Sequence, residues 1–524
     1  MSKENFFPEK AYEKTLKDTE SLGAMELFGN RIFADQSVLE ILNEFLLIVF
    51  SEKTIGKIEN EDNFFPKLDK DFNEIIQYSN NFKLTLKLFS LYSSSSNSVS
   101  PPSHENYYNK IKKELSDSIS IVNPSMNIDN EKILAVLENL FKGFQGVGAN
   151  RDWCAQSFIP LRKEFLAGET IWKATEAKKE APKETSINKT EKYFAHTGHN
   201  IYAKAGEVLY LEVLLALSQS EEDVKRLADG YFKGIHFTSE ELKPEELRKK
   251  LERGFSKLFQ NDKSPEILGR IANFINNIDS ENDIKDFPKK LSLGWIPKNN
   301  WKFGYLFAVE VSRIFNNYYD IIEEISILQI AVVLHNIRRF TFVSSEFLNR
   351  PKSVIAVINS NCKSRIMKEI SRTSYKECQL VIKNALELKV KNKEELQKIS
   401  KKYGQGTMVR WAKAIDFVVP KTGSTEKFVL TNNILACLIA TTIVPGEKTT
   451  LDTFLTQLKL RYGMIFDTES FNRANQEFGK RQRIQGFDTM DWFKNMLEES
   501  GYLIQLSDFV SLVQNFDNSS EGRC

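Results

Sequence analysis

The sequence lacks long apolar runs and paired cysteines. Its nearest approach to an unbroken apolar run, residues 325–334, is far shorter than the roughly 20 residues that a membrane-spanning helix needs. The first ten residues include acidic side chains and no apolar segment, so we expect no secretory signal there. The five cysteines are scattered without a C-x-x-C pair. This pattern predicts a reducing, cytoplasmic location and no membrane contact.

A strong net charge is also missing. The 72 Lys and Arg residues nearly balance the 70 Asp and Glu residues, which leaves a net charge of +2. Such a chain is not expected to coat nucleic acid over its whole surface, although a local basic patch remains compatible with it. Only 14 prolines occur, and 27% of the residues are charged. Both figures favour long helices with charged outer faces.

Helical periodicity dominates the pattern that is present. Apolar stripes follow Ser37 and fill residues 208–217, and residues 307–325 carry the clearest stripe, with Glu310 and Arg313 on its polar side. At 524 residues the chain exceeds one ordinary core, so we predict a mainly α, multi-domain helical protein. The predicted regions are an N-terminal helical region 1–92, a Ser/Pro-rich linker and loop 93–129, a central domain 130–236 with a disordered insert 173–192, a helical domain 237–404 and a winged-helix-like C-terminal module 405–516.

Basic clusters point to nucleic acid near the C-terminus. The module is predicted as winged-helix-like because three helical segments precede a strand that follows a glycine. The predicted nucleic-acid-binding residues are Lys480, Arg481, Arg483, Arg410 and Lys413. Trp411 would stack on bases, and Arg338–Phe340 forms a similar basic-aromatic group. The alternative is that these cations lie at helix C-termini, where a positive charge stabilises the helix without any ligand.

Two glycine-rich segments, residues 143–160 and 194–207, stand out in the central region, and we expect them to meet in space. Together they form a candidate structural or functional centre, whose members are Arg151, Asp152, Trp153, Cys154, His196, His199 and Glu207. The H-x-x-H spacing would let two imidazoles share a metal, and a cysteine beside a base can act as a nucleophile. No second cysteine or recognised ligand pattern accompanies them, and the glycines lack the Lys-Ser/Thr of a phosphate-binding loop. We therefore predict structural roles, no catalytic residue, no metal and no cofactor.

Three sets of residues together resemble a known kind of protein. They are residues 28–31 with the helix 39–50, residues 148–156 with 199–207, and residues 451–463 with 506–508. The combination is similar to accessory proteins encoded beside large helicases or ATPases in bacterial anti-phage defence clusters, of the Druantia-type and phosphorothioation-linked restriction kinds. The resemblance implies a non-catalytic component of a multi-protein defence system that contacts DNA, a partner helicase or nuclease, or both.

Two other functions remain open from the residues alone. One is a metal-dependent nuclease or nucleotide-processing enzyme that would use Cys154, His196, His199 and Glu207. The other is an interaction scaffold unrelated to defence.

Overall fold

The computed structural model describes most of the chain outside its central third. The described residues are 3–14, 21–29, 36–69, 71–79, 205–260, 290–317, 319–390, 393–477, 488–506 and 510–516, with short pieces at 32, 129, 132, 135, 151–152, 162–166, 170–172, 194–195, 266, 269–270 and 273. The predicted linker 93–129 and insert 173–192 lie almost wholly outside them.

Helices make up most of the described structure, which confirms the mainly α prediction. The helices are α1 (Glu9–Glu13), α2 (Leu22–Phe28), α3 (Val38–Phe50), α4 (Ala205–Leu217), α5 (Glu221–Asp229), α6 (Pro244–Leu258), α7 (Trp301–Phe315), α8 (Ile321–Phe347), α9 (Arg365–Lys389), α10 (Leu396–Tyr403), α11 (Gln405–Ala414), α12 (Asn432–Thr442), α13 (Leu451–Tyr462), α14 (Thr468–Glu477) and α15 (Asp488–Glu499). Among the described residues, no helix combines the length and apolar character that crossing a membrane requires.

Short strands form small sheets around the helices. The strands are β1 (Phe6–Phe7), β2 (Lys53–Ile55), β3 (Ile58–Glu61), β4 (Ile76–Ser79), β5 (Arg151–Asp152), β6 (Thr170–Trp172), β7 (Phe194–Ala195), β8 (Lys290–Ser292), β9 (Ile296–Pro297), β10 (Ile355–Ala356), β11 (Ile358–Asn359), β12 (Val418–Val419), β13 (Lys427–Leu430), β14 (Lys448–Thr450), β15 (Met464–Ile465), β16 (Leu503–Gln505) and β17 (Ser511–Gln514). The largest sheet has the order β3-β2-β4-β8.

Helix starts follow local capping chemistry. Ser37 begins α3 with a reciprocal pair, because its Oγ accepts from the Glu40 N–H at 3.3 Å and its own N–H donates to Glu40 Oε2 at 2.6 Å. Asp320 begins α8 by accepting from the N–H groups of Ile322 and Glu323. Threonines cap α12 and α13 in the same way. These bonds satisfy amides that a helix cannot pair internally.

One contiguous apolar cluster connects most of these elements. It contains buried side chains from Phe7 to Val513, and α3, α4, α7 and α8 contribute many of them. The N-terminus of α4 lies against α3, where the Gly206 N–H donates to Glu44 Oε2 at 2.8 Å and the Ala205 N–H donates to Gln36 Oε1 at 3.2 Å. Side chains of the N-terminal region therefore cap a helix that follows more than 160 residues later.

The predicted continuous helix across residues 307–325 is wrong. The chain leaves the helical conformation between Phe315 and Ile321, because the Asn317 amide turns back to the Arg313 carbonyl at 2.9 Å and Asp320 starts a new helix. Within the predicted helical domain 237–404, β8 and β9 interrupt the helices. The apolar periodicity continues across the Asp320 cap, and for this reason the sequence pattern predicted one helix where there are two.

Candidate functional site

The predicted basic cluster around Trp411 is divided between surface and core. Arg410 is exposed on α11, whereas Lys413 pairs with Glu426 Oε1 at 3.1 Å and donates to the Lys421 carbonyl at 3.0 Å. Trp411 is 1% exposed, and its Nε1 donates to the Gln36 carbonyl at 2.8 Å. The ring therefore belongs to the core, and the expectation that it would stack on bases is wrong.

The basic-aromatic group Arg338–Phe340 is likewise internal. Arg338 and Arg339 are each 1% exposed and Phe340 is fully buried. Phosphates cannot reach these guanidinium groups. The third basic group, Lys480, Arg481 and Arg483, lies outside the described residues, between the end of α14 at Glu477 and the start of α15 at Asp488.

The two glycine-rich segments contribute strands to one small sheet. Arg151–Asp152 and Phe194–Ala195 form β5 and β7, which flank β6 on either side in antiparallel register. Trp153, Cys154, His196 and His199 lie outside the described residues.

Glu207 lies at the start of α4. It is fully buried in the first turn of α4, where the helix dipole favours a negative charge, and it accepts from the Gly294 N–H at 3.1 Å. Within the described part of the chain, no group of three or more His, Cys, Asp or Glu side chains is arranged to hold a metal ion.

A network of charged side chains lies in the core, and sequence reasoning missed it. Glu212 of α4, Glu310 and Arg313 of α7, and Arg338 and Arg339 of α8 are each no more than 2% exposed. The polar side predicted for residues 307–325 is thus buried against other helices. Buried charges must be paired because removal from water costs several kcal/mol per ion.

Each of these charges has a close partner. Arg338 binds Glu310 with two bonds of 2.6 and 3.0 Å, and Arg339 donates to Glu212 Oε1 at 2.9 Å. Burial alone would raise the pKa of Glu212, but Arg339 and His335 outweigh it and hold that pKa below its usual value. A planar guanidinium suits the bidentate Arg338–Glu310 contact better than a lysine would.

His335 connects the two ion pairs. Its Nδ1 lies 3.1 Å from Arg338 Nη2, and its Nε2 lies 2.9 Å from Glu212 Oε2. Because an arginine can only donate, Nδ1 must accept, and Nε2 carries the hydrogen that is donated to Glu212. Burial lowers the pKa of His335, with the Glu212 contact acting against it, and the neutral imidazole is the form that this geometry fits.

A second arm of the network reaches α12 and α13. Arg313 binds Glu241 at 2.7 Å and donates to the Thr442 carbonyl at 2.6 Å. Arg461 of α13 is fully buried, donates to the His236 carbonyl at 2.8 Å and lies 3.8 Å from Glu310. Burial lowers the pKa of Arg461 to about 10, and Arg313 adds to that effect. With all its members sealed from solvent, the network fixes how the helices pack and is not an accessible reaction site.

The accessible candidate site is an open cavity of about 620 Å³ in the C-terminal part of the chain. It lies where β11 and β13 end, because Asn359 and Leu430 are parallel neighbours and both line it. The cavity is completed by the N-terminal end of α12 and by one face of α15. Clefts beyond the carboxyl ends of adjacent parallel strands are frequent ligand sites.

The helix α15 presents a continuous face to this cavity. Trp492, Asn495, Met496 and Glu499 all line it, with the spacing of one helical face. The Trp492 ring packs on Phe493 with a centroid distance of 5.5 Å, which fixes the helix against the core. No signal for the cavity exists in the sequence, because its lining comes from three segments that are far apart.

Compared with protein-family models, curated proteins and solved structures, the chain matches none of them.

Proposed function

We propose that this chain is a non-catalytic component of a cytoplasmic, multi-protein bacterial anti-phage defence system, in which it contacts a partner helicase or nuclease, DNA, or both. The defence setting is supported by the resemblance of the three sets of residues. The binding role is supported by one observation above all, the open polar cavity along α15. A sealed core network and an accessible cavity suit a recognition subunit.

The C-terminal module is proposed to be winged-helix-like. In its support, α12, β14, α13 and α15 are followed by the β16–β17 hairpin, and the sheet has the order β14-β17-β16. The helix α14 is an addition between the second and the last helix of this arrangement. In DNA-binding modules of this kind, the last helix enters the major groove.

The charges on α15 favour a protein partner at this helix. Its sequence holds four Asp or Glu residues and one Lys, so a phosphate backbone would be repelled from it. Two apolar side chains beside the hairpin turn, Leu506 and Val510, are 62% and 43% exposed. Exposed apolar side chains next to an acidic helix suit a surface that binds another protein. Any DNA contact is therefore assigned to the segment that contains Lys480, Arg481 and Arg483.

The proposed DNA contact is tested by reversing the charges of these three residues. The triple variant K480E/R481E/R483E is expected to weaken binding of a duplex oligonucleotide. The slope of log affinity against log salt concentration should become shallower by about three, close to one per lost phosphate contact. A matched control, K233E/K298E/R350E, reverses three exposed cations elsewhere and should leave the salt slope close to that of wild type. If both variants bind like wild type, DNA contact at this segment is excluded.

The proposed role in anti-phage defence is tested in the bacterial host. Deletion of the gene should abolish protection against phage plating, and genes for a helicase or ATPase should lie beside it. Protection should survive Cys154→Ala combined with His199→Ala if the chain is non-catalytic. Loss of protection in that double variant, with normal protein levels, would favour the enzyme alternative, and a metabolic gene neighbourhood would contradict the defence assignment.

A further inference from the structure

The cavity along α15 is lined mainly by groups that form hydrogen bonds. Asn361, Asn432, Asn433 and Asn495 contribute carboxamides, and none of these side chains has a hydrogen-bond partner among the described residues. Each carboxamide offers two donors and one acceptor oxygen. A peptide main chain presents the complementary alternation of N–H and C=O groups. The lining therefore matches an extended peptide better than an apolar ligand.

One charged side chain, Glu499, lines the cavity. It is exposed, and within the described structure it has no cationic partner. Glu498 and Glu499 also stand in the last turn of α15, where no basic residue accompanies them. Carboxylates at a helix C-terminus meet the negative end of the helix dipole, which is unfavourable. A cation placed beside Glu499 would relieve both effects.

An aromatic ring completes the polar lining. Trp492 is partly buried against Phe466 and Phe493, so that its position is fixed before any ligand arrives. Its Nε1–H is enclosed and finds no acceptor within the described structure. Tryptophan is the side chain that attracts cations best over its face. Trp492 and Glu499 lie two turns apart on one face of α15, which suits a long cationic side chain between them.

We propose that this cavity binds an extended segment of a partner protein, with a Lys or Arg side chain of that segment paired to Glu499. The proposal rests on the proposed function, since it specifies how the C-terminal module holds its partner. The carboxamides bind the main chain, Glu499 and Trp492 hold the cation, and the cavity volume admits a few residues. A nucleic-acid strand fits the cavity less well, because its phosphates would be repelled by the Glu499 carboxylate.

The test is a yeast-displayed library of random nine-residue peptides selected on the full-length chain. Wild-type protein should enrich peptides with Lys or Arg at one fixed position. Glu499→Lys should reverse that preference to Asp or Glu, because the exposed site keeps its shape and changes only its charge. A synthetic peptide from the wild-type selection should lose about tenfold in affinity with Glu499→Gln and a few-fold with Asn495→Ala.

The control is Glu469→Lys, which reverses a carboxylate of α14 that is 79% exposed. This variant should enrich the same peptides as wild type. The proposal is overturned if no basic position is enriched, if Glu499→Lys leaves the preference unchanged, or if a single-stranded oligonucleotide competes for the site and binds more tightly to Glu499→Gln.

The two proposals fail separately. If gene deletion leaves phage protection intact but the charge-dependent peptide selection succeeds, the defence assignment falls and the peptide site stands. If protection needs the gene and the selection returns no basic motif, the peptide site falls and the defence role stands.

Discussion

His335 donates its Nε2 hydrogen to the Glu212 carboxylate over 2.9 Å, because the Arg338 guanidinium occupies its other ring nitrogen. The His335 imidazole therefore lies between Arg338 and Glu212, which belong to different ion pairs. Neutral histidine suits this position, since it can accept from one neighbour and donate to the other. If Nδ1 were protonated, its hydrogen would face the Arg338 guanidinium, and the nitrogen could no longer accept a hydrogen bond from it.

The buried imidazole should make stability depend on pH. Burial lowers the pKa of His335 from its ordinary 6.5. Between the folded pKa and 6.5 the unfolded chain binds more protons, so the free energy of unfolding should fall as the pH drops below about 6.5. His335→Gln retains one donor and one acceptor without titrating. Its unfolding free energy, measured by urea titration between pH 5 and 7, should have a slope smaller by up to about 1.4 kcal/mol per pH unit. Identical slopes would contradict the neutral buried form.

The Arg338–Glu310 pair should be costly to break from one side. Glu310→Gln leaves the buried Arg338 guanidinium without its carboxylate, and we expect a loss of about 3–5 kcal/mol in the free energy of unfolding. The comparison is Glu246→Gln, which removes an exposed pair with Lys249 of similar length, 2.9 Å, and should cost less than about 1 kcal/mol. Chemical denaturation measures both.

Replacing both partners of the buried pair gives a second check. The double variant Glu310→Leu/Arg338→Met should recover part of the lost stability, because the Arg338 guanidinium is removed together with its carboxylate, while Arg461 still loses the Glu310 carboxylate 3.8 Å away. If Glu310→Gln costs no more than Glu246→Gln, the pair is more accessible to water than its burial indicates.

Several local features could be predicted from the sequence because they depend on neighbouring residues. Ser37 with Glu40, and Thr450 before α13, are capping signals whose bonds span a single turn. The apolar stripe at 208–217 identified α4 for the same reason. These elements needed no knowledge of distant partners.

The buried charges could not be predicted because periodicity alone does not say what a polar face meets. Glu310 and Arg313 have the spacing of an ordinary solvated face, but α8, α12, α13 and residues 236–241 cover them. One signal was present: α8 contains arginines and a histidine but no lysine, and arginine is the cation that tolerates burial best. The cavity had no such signal, since Asn361, Asn432 and Asn495 belong to segments joined only by the fold.

Lys53 should give a pH dependence of its own. It is 1% exposed, and burial lowers its pKa to about 7, although its Nζ donates to the carbonyls of Val49, Ser51 and Asn63. Between pH 7 and 10.5 the unfolded chain binds the proton more firmly, so the free energy of unfolding should rise with pH. Lys53→Met should lack this rise.

Denaturant titrations of wild type and Lys53→Met from pH 6.5 to 10 measure the difference. Lys57→Met, in the exposed turn between β2 and β3, controls for the loss of one lysine. Parallel curves for wild type and Lys53→Met would show that the three carbonyls keep the ammonium charged throughout this range.

The crossing of α3 and α4 should depend on the missing side chain of Gly206. A Cβ atom there would lie 2.7 Å from the Ile41 carbonyl oxygen, the Phe45 nitrogen and the Glu44 Cβ, and the first two are backbone atoms that cannot turn aside. Gly206→Ala should therefore separate the helices and weaken the contact between Glu44 and the α4 N-terminus. We expect a loss of about 1–3 kcal/mol in the free energy of unfolding, although alanine favours a helix more than glycine does.

Gly501→Ala, where a Cβ would meet nothing within 4 Å but φ is +76°, isolates the backbone effect and should cost about 1 kcal/mol. A Gly206→Ala protein as stable as wild type would mean that the two helices can move apart without cost, which the capping bonds from Gln36 and Glu44 argue against.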